Sequence, residues 1–165
     1  MTLQSIRSML AVFIAAFASL AAAGNTTGPN VGQVAPDFTL TDLASKKPVS
    51  LAQLRKKGYV LALFWSTRCH VCHAMLPAFK KTHKQYKDKN FTLAAINIGY
   101  ENREQVEDYI LQHDVDYLVL NDDSKKARLA QQYALKGTPT IKLIAPSGRI
   151  VWSGHRLPDL ARWIK

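Results

Sequence analysis

Cys69 and Cys72 are the only cysteines in this 165-residue chain, and they stand where one kind of sequence pattern gives way to another. Before them runs Tyr59-Val60-Leu61-Ala62-Leu63-Phe64-Trp65, an unbroken apolar stretch of the length and β-branched or aromatic content of a buried strand. After them Met75, Leu76, Phe79, His83 and Tyr86 recur at three- and four-residue steps, which predicts a helix with one face on a core. A pair of cysteines two residues apart cannot staple distant segments together. It can close into a small disulfide ring or hold a thiolate beside a waiting thiol, which is what exchange through a mixed disulfide requires.

The two cysteines are not equivalent. The first four N–H groups of a helix lack intrahelical partners, and the helix dipole is positive at that end, so a thiolate at the helix start is stabilised. Free cysteine titrates near ~8.5, and such surroundings lower it to roughly 3.5–7.5. Arg68 and His70 flank Cys69, and no acidic residue lies between Gly58 and Lys87. Cys69 is therefore expected to be the attacking thiolate, with no carboxylate opposing its charge, and Cys72 the more buried resolving thiol.

Residues 1–23 form a separate segment, apolar from Met9 to Ala23 but for Ser19, with Arg7 as its one charge and Ala21-Ala22-Ala23 ahead of Gly24. It is read first as a cleaved secretory signal peptide and second as a membrane anchor, the apolar stretch being short of the ~20 residues of an ordinary span. Either reading makes the protein extracytoplasmic, periplasmic in a cell with two membranes. Residues 24–33 are polar with Gly and Pro and read as a linker, leaving 34–165 as one domain with its own core. The net charge of +10 is concentrated at Lys80, Lys81, Lys84, Lys87 and Lys89 and at two lysine pairs, and is read as a solvated face. Too few aromatics interleave with these lysines for a nucleic-acid surface, so no nucleic-acid partner is expected.

Elsewhere strands and helices alternate. Asp37–Leu40 and Pro48–Ser50 predict a short β element, Leu51–Lys57 a helical turn, Phe91–Ile98 a second buried strand. A helix through Val106, Tyr109, Ile110 and His113 follows, then a strand at Tyr117–Leu120 and a helix at Ser124–Tyr133. Thr140–Ala145 and Arg149–Ser153 flank Ser147-Gly148 as a hairpin, and Pro158–Ile164 is expected to close the chain as a helix. Pro77 is expected to interrupt and kink the helix after the cysteines. The order is α/β with a mixed sheet.

Several motifs in this order resemble those of the TlpA/ResA-like thioredoxin-fold thiol–disulfide oxidoreductases, a group that includes reductants of cytochrome c maturation. They are Ala35-Pro36-Asp37-Phe38-Thr39-Leu40, Val49-Ser50-Leu51 with Leu54-Arg55, Phe64-Trp65-Ser66-Thr67 before Cys69-x-x-Cys72 and Pro77, Gly137-Thr138-Pro139-Thr140, and Ser147-Gly148-Arg149-Ile150. The resemblance implies a thioredoxin-like fold with a mixed central sheet flanked by helices, an N-terminal β element and a strand–helix insertion at 91–123. It implies an enzyme, a reductase or isomerase of protein disulfides, using Cys69 and Cys72 as a redox disulfide and no further cofactor. It also implies a cis Pro139 beside the dithiol, with Thr138 and Pro139 binding the substrate's extended segment. The implied partners are thiols and disulfides of exported proteins, supplied with electrons by a membrane thiol protein. The chain departs from the group at His70-Val71 between the cysteines, at Met75 where a Glu is usual, and at Leu63 where thioredoxin has an acid. His73 or His70 is then expected to take the proton from Cys72.

Three rival chemistries use the same residues. Cys69, Cys72, His70, His73 and Met75 are soft or borderline ligands that suit copper(I) delivery. Cys69-His70-Val71-Cys72-His73 also fits the attachment pattern of a c-type haem. A peroxidase would need Ser or Thr three residues before its cysteine, which Ser66 supplies, and an upstream proline near Ala62, which is missing.

Overall fold

The computed structural model describes residues 26–99, 101–122 and 127–165. The expected leader of residues 1–23 and the first two residues of the expected linker lie outside them. Seven strands form one sheet: β1 (Thr39–Asp42), β2 (Pro48–Ser50), β3 (Tyr59–Trp65), β4 (Phe91–Asn97), β5 (Leu118–Asn121), β6 (Thr140–Ile144) and β7 (Ile150–Gly154), in the order β2-β1-β5-β4-β3-β6-β7. The central strands β3, β4 and β5 are parallel, and both flanks are antiparallel. This is the mixed thioredoxin-like sheet expected from the sequence.

The apolar run of β3 is continuous because both faces of the strand are covered. Leu61, Leu63 and Trp65 point into one layer with Cys72, Phe79 and Tyr86 of α2 (His70–Tyr86) and Val106 and Tyr109 of α3 (Arg103–Gln112). Val60, Ala62 and Phe64 point into the other, with Leu51 and Leu54 of α1 (Leu51–Arg55) and with Leu129 of α4 (Ala127–Gln132) and Tyr133 just after it. Phe79 is 1% exposed, and burial of a side chain of that size is worth about 2–3 kcal/mol by area removed from water.

The local signals explain the element ends. Ser50 and Gln53 form a capping box on α1, and Asn102 and Gln105 form another on α3. Gly58, at φ +137°, allows β3 to start against the backbone of Asn90, where any Cβ would collide. The stretch ahead of Val34 lies along the sheet edge: Gly32 N–H donates to Ile150 O, Ile150 N–H to Gln33 O, and the Lys142 ammonium to Pro29 O.

Two expectations are corrected. Pro77 was expected to interrupt α2, but the helix runs through it from His70 to Tyr86, with Pro77 itself exposed. The closing helix is a single 3-10 turn at Leu160–Arg162, because one turn already buries Leu160 and Ile164. Strand and helix ends otherwise shift by one or two residues, and Ser124–Lys126 of the expected fourth helix lie outside the described residues.

Candidate active site

The C-terminal end of β3 delivers the dithiol. After Trp65 the chain turns through Ser66–Arg68, the Cys69 N–H donates to Ser66 O at 3.2 Å, and Cys69 becomes the N-cap of α2. Its backbone is extended, and its Sγ accepts the Cys72 N–H at 3.1 Å. Ser, Thr, Asp or Asn usually fills this position by offering an oxygen to an orphan amide. Here the sulfur does so, and the same amide is placed to stabilise a thiolate once the bond is reduced. Cys69 and Cys72 are joined as a disulfide with their Cα atoms 5.2 Å apart. Cys72 is 4% exposed and Cys69 half-buried, the asymmetry expected from the sequence.

The antiparallel pairing of β3 with β6 matches Phe64 to Thr140, so the loop ahead of β6 arrives at the same end of the sheet as the dithiol. The Thr138–Pro139 bond is cis. Pro139 is buried and Thr138 half-buried; the Thr140 hydroxyl donates to Gly137 O at 2.7 Å, and His155 Nδ1 lies 2.8 Å from Pro139 O. Four residues that the sequence singled out, Cys69, Cys72, Thr138 and Pro139, thus gather at one edge.

Of the two histidines beside the dithiol, His70 is exposed and His73 joins the active-site turn. His73 turns its Nε2 toward Thr67 O at 2.6 Å, and its ring meets Tyr109 edge-on at 5.0 Å and His113 at 5.7 Å. It braces the active-site turn through that ring nitrogen. A haem axial ligand would have to break that bond. Among the described residues no group of three or more His, Cys, Asp or Glu converges on a metal position.

One residue escaped sequence reasoning altogether. Glu101 follows β4 and is 2% exposed, with its carboxylate beneath the active-site turn. Its Oε1 accepts the Ser66 hydroxyl at 2.6 Å, the Thr67 hydroxyl at 2.8 Å and the Arg68 N–H at 3.2 Å, and Asn97 Nδ2 lies 3.5 Å from Oε2. Gly99 makes room for it, since a Cβ there would overlap the carboxylate. Burial alone would raise the carboxyl pKa, but the Ser66 hydroxyl, its own amide, the Thr67 hydroxyl and the Arg68 amide outweigh burial and lower it from 4.5 to about 2. The expectation that no carboxylate stands near Cys69 is therefore wrong. Glu101 is far from Cys69 in sequence, and only the parallel pairing of Trp65 with Asn97 brings them together. The available signal was topological: in an open parallel sheet, the segments following adjacent strands share one edge.

Comparison with known proteins agrees with this geometry. The sequence profile of the AhpC/TSA family matches residues 31–153. The thiol-disulfide oxidoreductase ResA of Bacillus cereus is 31% identical over 121 residues, covering 73% of this chain and 67% of that protein. The thioredoxin-like protein YneN of Bacillus subtilis is 32% identical over 127 residues, covering 74% and 70%. Among solved structures, the thioredoxin domain of a thiol-disulfide oxidoreductase from Bacteroides vulgatus superposes with a TM-score of 0.72 at 29% identity, covering 81% of this chain and 94% of that one. With its seven-stranded sheet and its Cys69–Cys72 disulfide at the start of α2, the chain belongs to the AhpC/TSA family, among the thioredoxin-like thiol–disulfide oxidoreductases that resemble ResA.

Proposed function

We propose that the protein is an exported reductase of protein disulfides, with Cys69 as nucleophile, Cys72 as resolving thiol, and the Thr138–Pro139 loop as the seat of the substrate segment. The observation that carries this reading is the asymmetry of the pair: Cys69 caps the helix half-exposed, and Cys72 lies beneath it.

In the reduced protein the Cys69 thiolate attacks one sulfur of the partner's disulfide. A bond forms between Cys69 Sγ and that sulfur, the partner's S–S bond breaks, and the partner's other sulfur leaves as thiolate and takes a proton. Cys72 then gives up its proton and attacks Cys69 Sγ, forming the intramolecular disulfide and releasing the partner's second sulfur as a thiolate that takes up a proton. Two electrons have passed to the partner, two protons have ended on its thiols, and the Cys69–Cys72 disulfide remains. A separate dithiol protein must reduce it again for turnover, and a membrane thiol protein at the same compartment fits that need. The Cys72 amide and the α2 dipole favour the Cys69 thiolate in the first step and its departure in the second. The Thr138 backbone offers an edge on which an extended partner segment can pair, with affinity from main-chain bonds that tolerate varied side chains.

Export rests on the apolar leader of residues 1–23. Outside the cytoplasm most dithiols are driven to disulfides, so a reductase there must be a strong electron donor.

The test is a coupled one. Reduced protein is mixed with a disulfide-bonded protein substrate, quenched with a thiol alkylator and weighed by mass spectrometry. The reading requires that the protein lose both alkylation sites as the substrate gains two. Persistent double alkylation beside an oxidised substrate would refute it.

A further inference from the structure

We propose that Glu101 is the positioning residue of the dithiol: its carboxylate fixes the turn Ser66–Arg68 that presents Cys69, and its negative charge holds the pair toward the reducing end of its range. This inference rests on the exchange reading above and deepens it by assigning the direction of electron flow to one side chain.

The geometry carries two consequences. The first is mechanical. A single oxygen, Oε1, takes the hydroxyls of Ser66 and Thr67 and the Arg68 amide, so three consecutive residues ahead of Cys69 are tied to one buried point. Thr67 O is in turn held by His73, and Ser66 O by the Cys69 amide. The turn is bound on every residue, and the strand–helix insertion carrying Glu101 becomes part of the active site.

The second consequence is electrostatic. The Arg68 amide is 3.2 Å from Oε1, and Cys69 is the next residue, so covalent geometry puts Cys69 Sγ within about 10 Å of the carboxylate. At an effective dielectric of about 20, a unit charge at that range shifts a thiol pKa by about one unit. The sign is upward for Cys69, because a neighbouring anion disfavours the thiolate. A less stable thiolate means a less stable reduced form, and a dithiol that gives up its electrons more readily. Four donors hold the Glu101 carboxylate ionised, so it is a poor base and does not serve as proton acceptor for Cys72. The Arg68 guanidinium acts in the opposite direction from the exposed side, and the balance between the two charges sets the potential.

Glu101→Gln preserves the shape and an acceptor oxygen while removing the charge. Two readouts follow it: ultraviolet thiolate absorbance of the reduced protein against pH, and the equilibrium with glutathione at pH 8. The Cys69 pKa should fall by about one unit, and the glutathione equilibrium should move toward the dithiol, by up to about tenfold where the pH exceeds both pKa values. Glu101→Asp, which keeps the charge, should stay nearer the wild type on both. The Ser66→Ala/Thr67→Ala double variant keeps the carboxylate and strips two donors from it, so the Cys69 pKa should rise; this variant stands as the test if Glu101→Gln does not fold. An unchanged Cys69 pKa in the charge-removing and donor-removing variants, with wild-type exchange intact, overturns the role of Glu101 alone. Absence of exchange in the wild type overturns the underlying reading.

Discussion

Glu101 makes a stability prediction that is independent of any redox measurement. Its carboxyl pKa falls from 4.5 to about 2 on folding, because the donors around it outweigh its burial. A group whose pKa is depressed in the folded state stabilises that state at pH values above the unfolded pKa. The contribution is lost as the pH falls through the folded pKa. The shift corresponds to about 3 kcal/mol at pH 7 as an order of magnitude, fully present above about pH 5 and declining toward pH 2. Glu101→Gln removes this titration and keeps the side-chain shape. Urea unfolding of both proteins in the oxidised state, followed by far-ultraviolet circular dichroism from pH 7 to pH 3, gives the gap in stability at each pH. The wild type should be more stable by up to about 3 kcal/mol at pH 7, and the gap should shrink by about 2 kcal/mol between pH 6 and pH 3. A gap that stays constant over that interval would show that the carboxylate is not held ionised by Ser66, Thr67 and Arg68, and the reasoning about the turn would fail with it.

Two further outcomes test other parts of the account. Arg68→Glu replaces an exposed cation next to Cys69 with an anion, so the Cys69 thiolate pKa should rise and the disulfide should become less oxidising; thiolate absorbance and glutathione equilibrium must move in these directions together. Phe79→Ala empties a site that α2 packs against the sheet, and should cost about 3–5 kcal/mol, read as a lower urea midpoint with an unchanged slope.

What the sequence made legible was whatever is encoded locally. The Cys69-x-x-Cys72 spacing, the apolar run of β3 and the three-four stripe of α2 each name their own structure, and the mixed sheet follows from their alternation. Thr138 and Pro139 were legible as a motif, because the loop precedes a strand whose apolar pattern is equally clear. Pro77 misled because a proline costs a helix one bond and some geometry, and packing of Cys72, Phe79 and Tyr86 on the sheet outweighs that cost. The segment after Pro158 misled because its apolar spacing fits a helix, whereas one turn is enough to seat Leu160 and Ile164. The contact of His73 with Thr67 O was not legible, because it depends on how the turn folds back over the helix start. Glu101 could not be read at all from local pattern, since its partners lie one strand away and only the β3–β4 register joins them. Polar contacts between separated loops are set by topology, and topology is the last thing a single sequence discloses.

The central claim is that Cys69 attacks and Cys72 resolves, and trapping tests it most directly. Cys72→Ser and Cys69→Ser, each reduced and mixed with the same disulfide-bonded protein, are quenched with acid and an alkylator and resolved by mass spectrometry. The account predicts a stable mixed disulfide at Cys69 in Cys72→Ser, since the half-exposed sulfur can attack and nothing remains to release it. Cys69→Ser should give little or no adduct, because Cys72 lies 4% exposed beneath the helix start. Abundant adduct at Cys72 with none at Cys69 would reverse the roles and contradict the account.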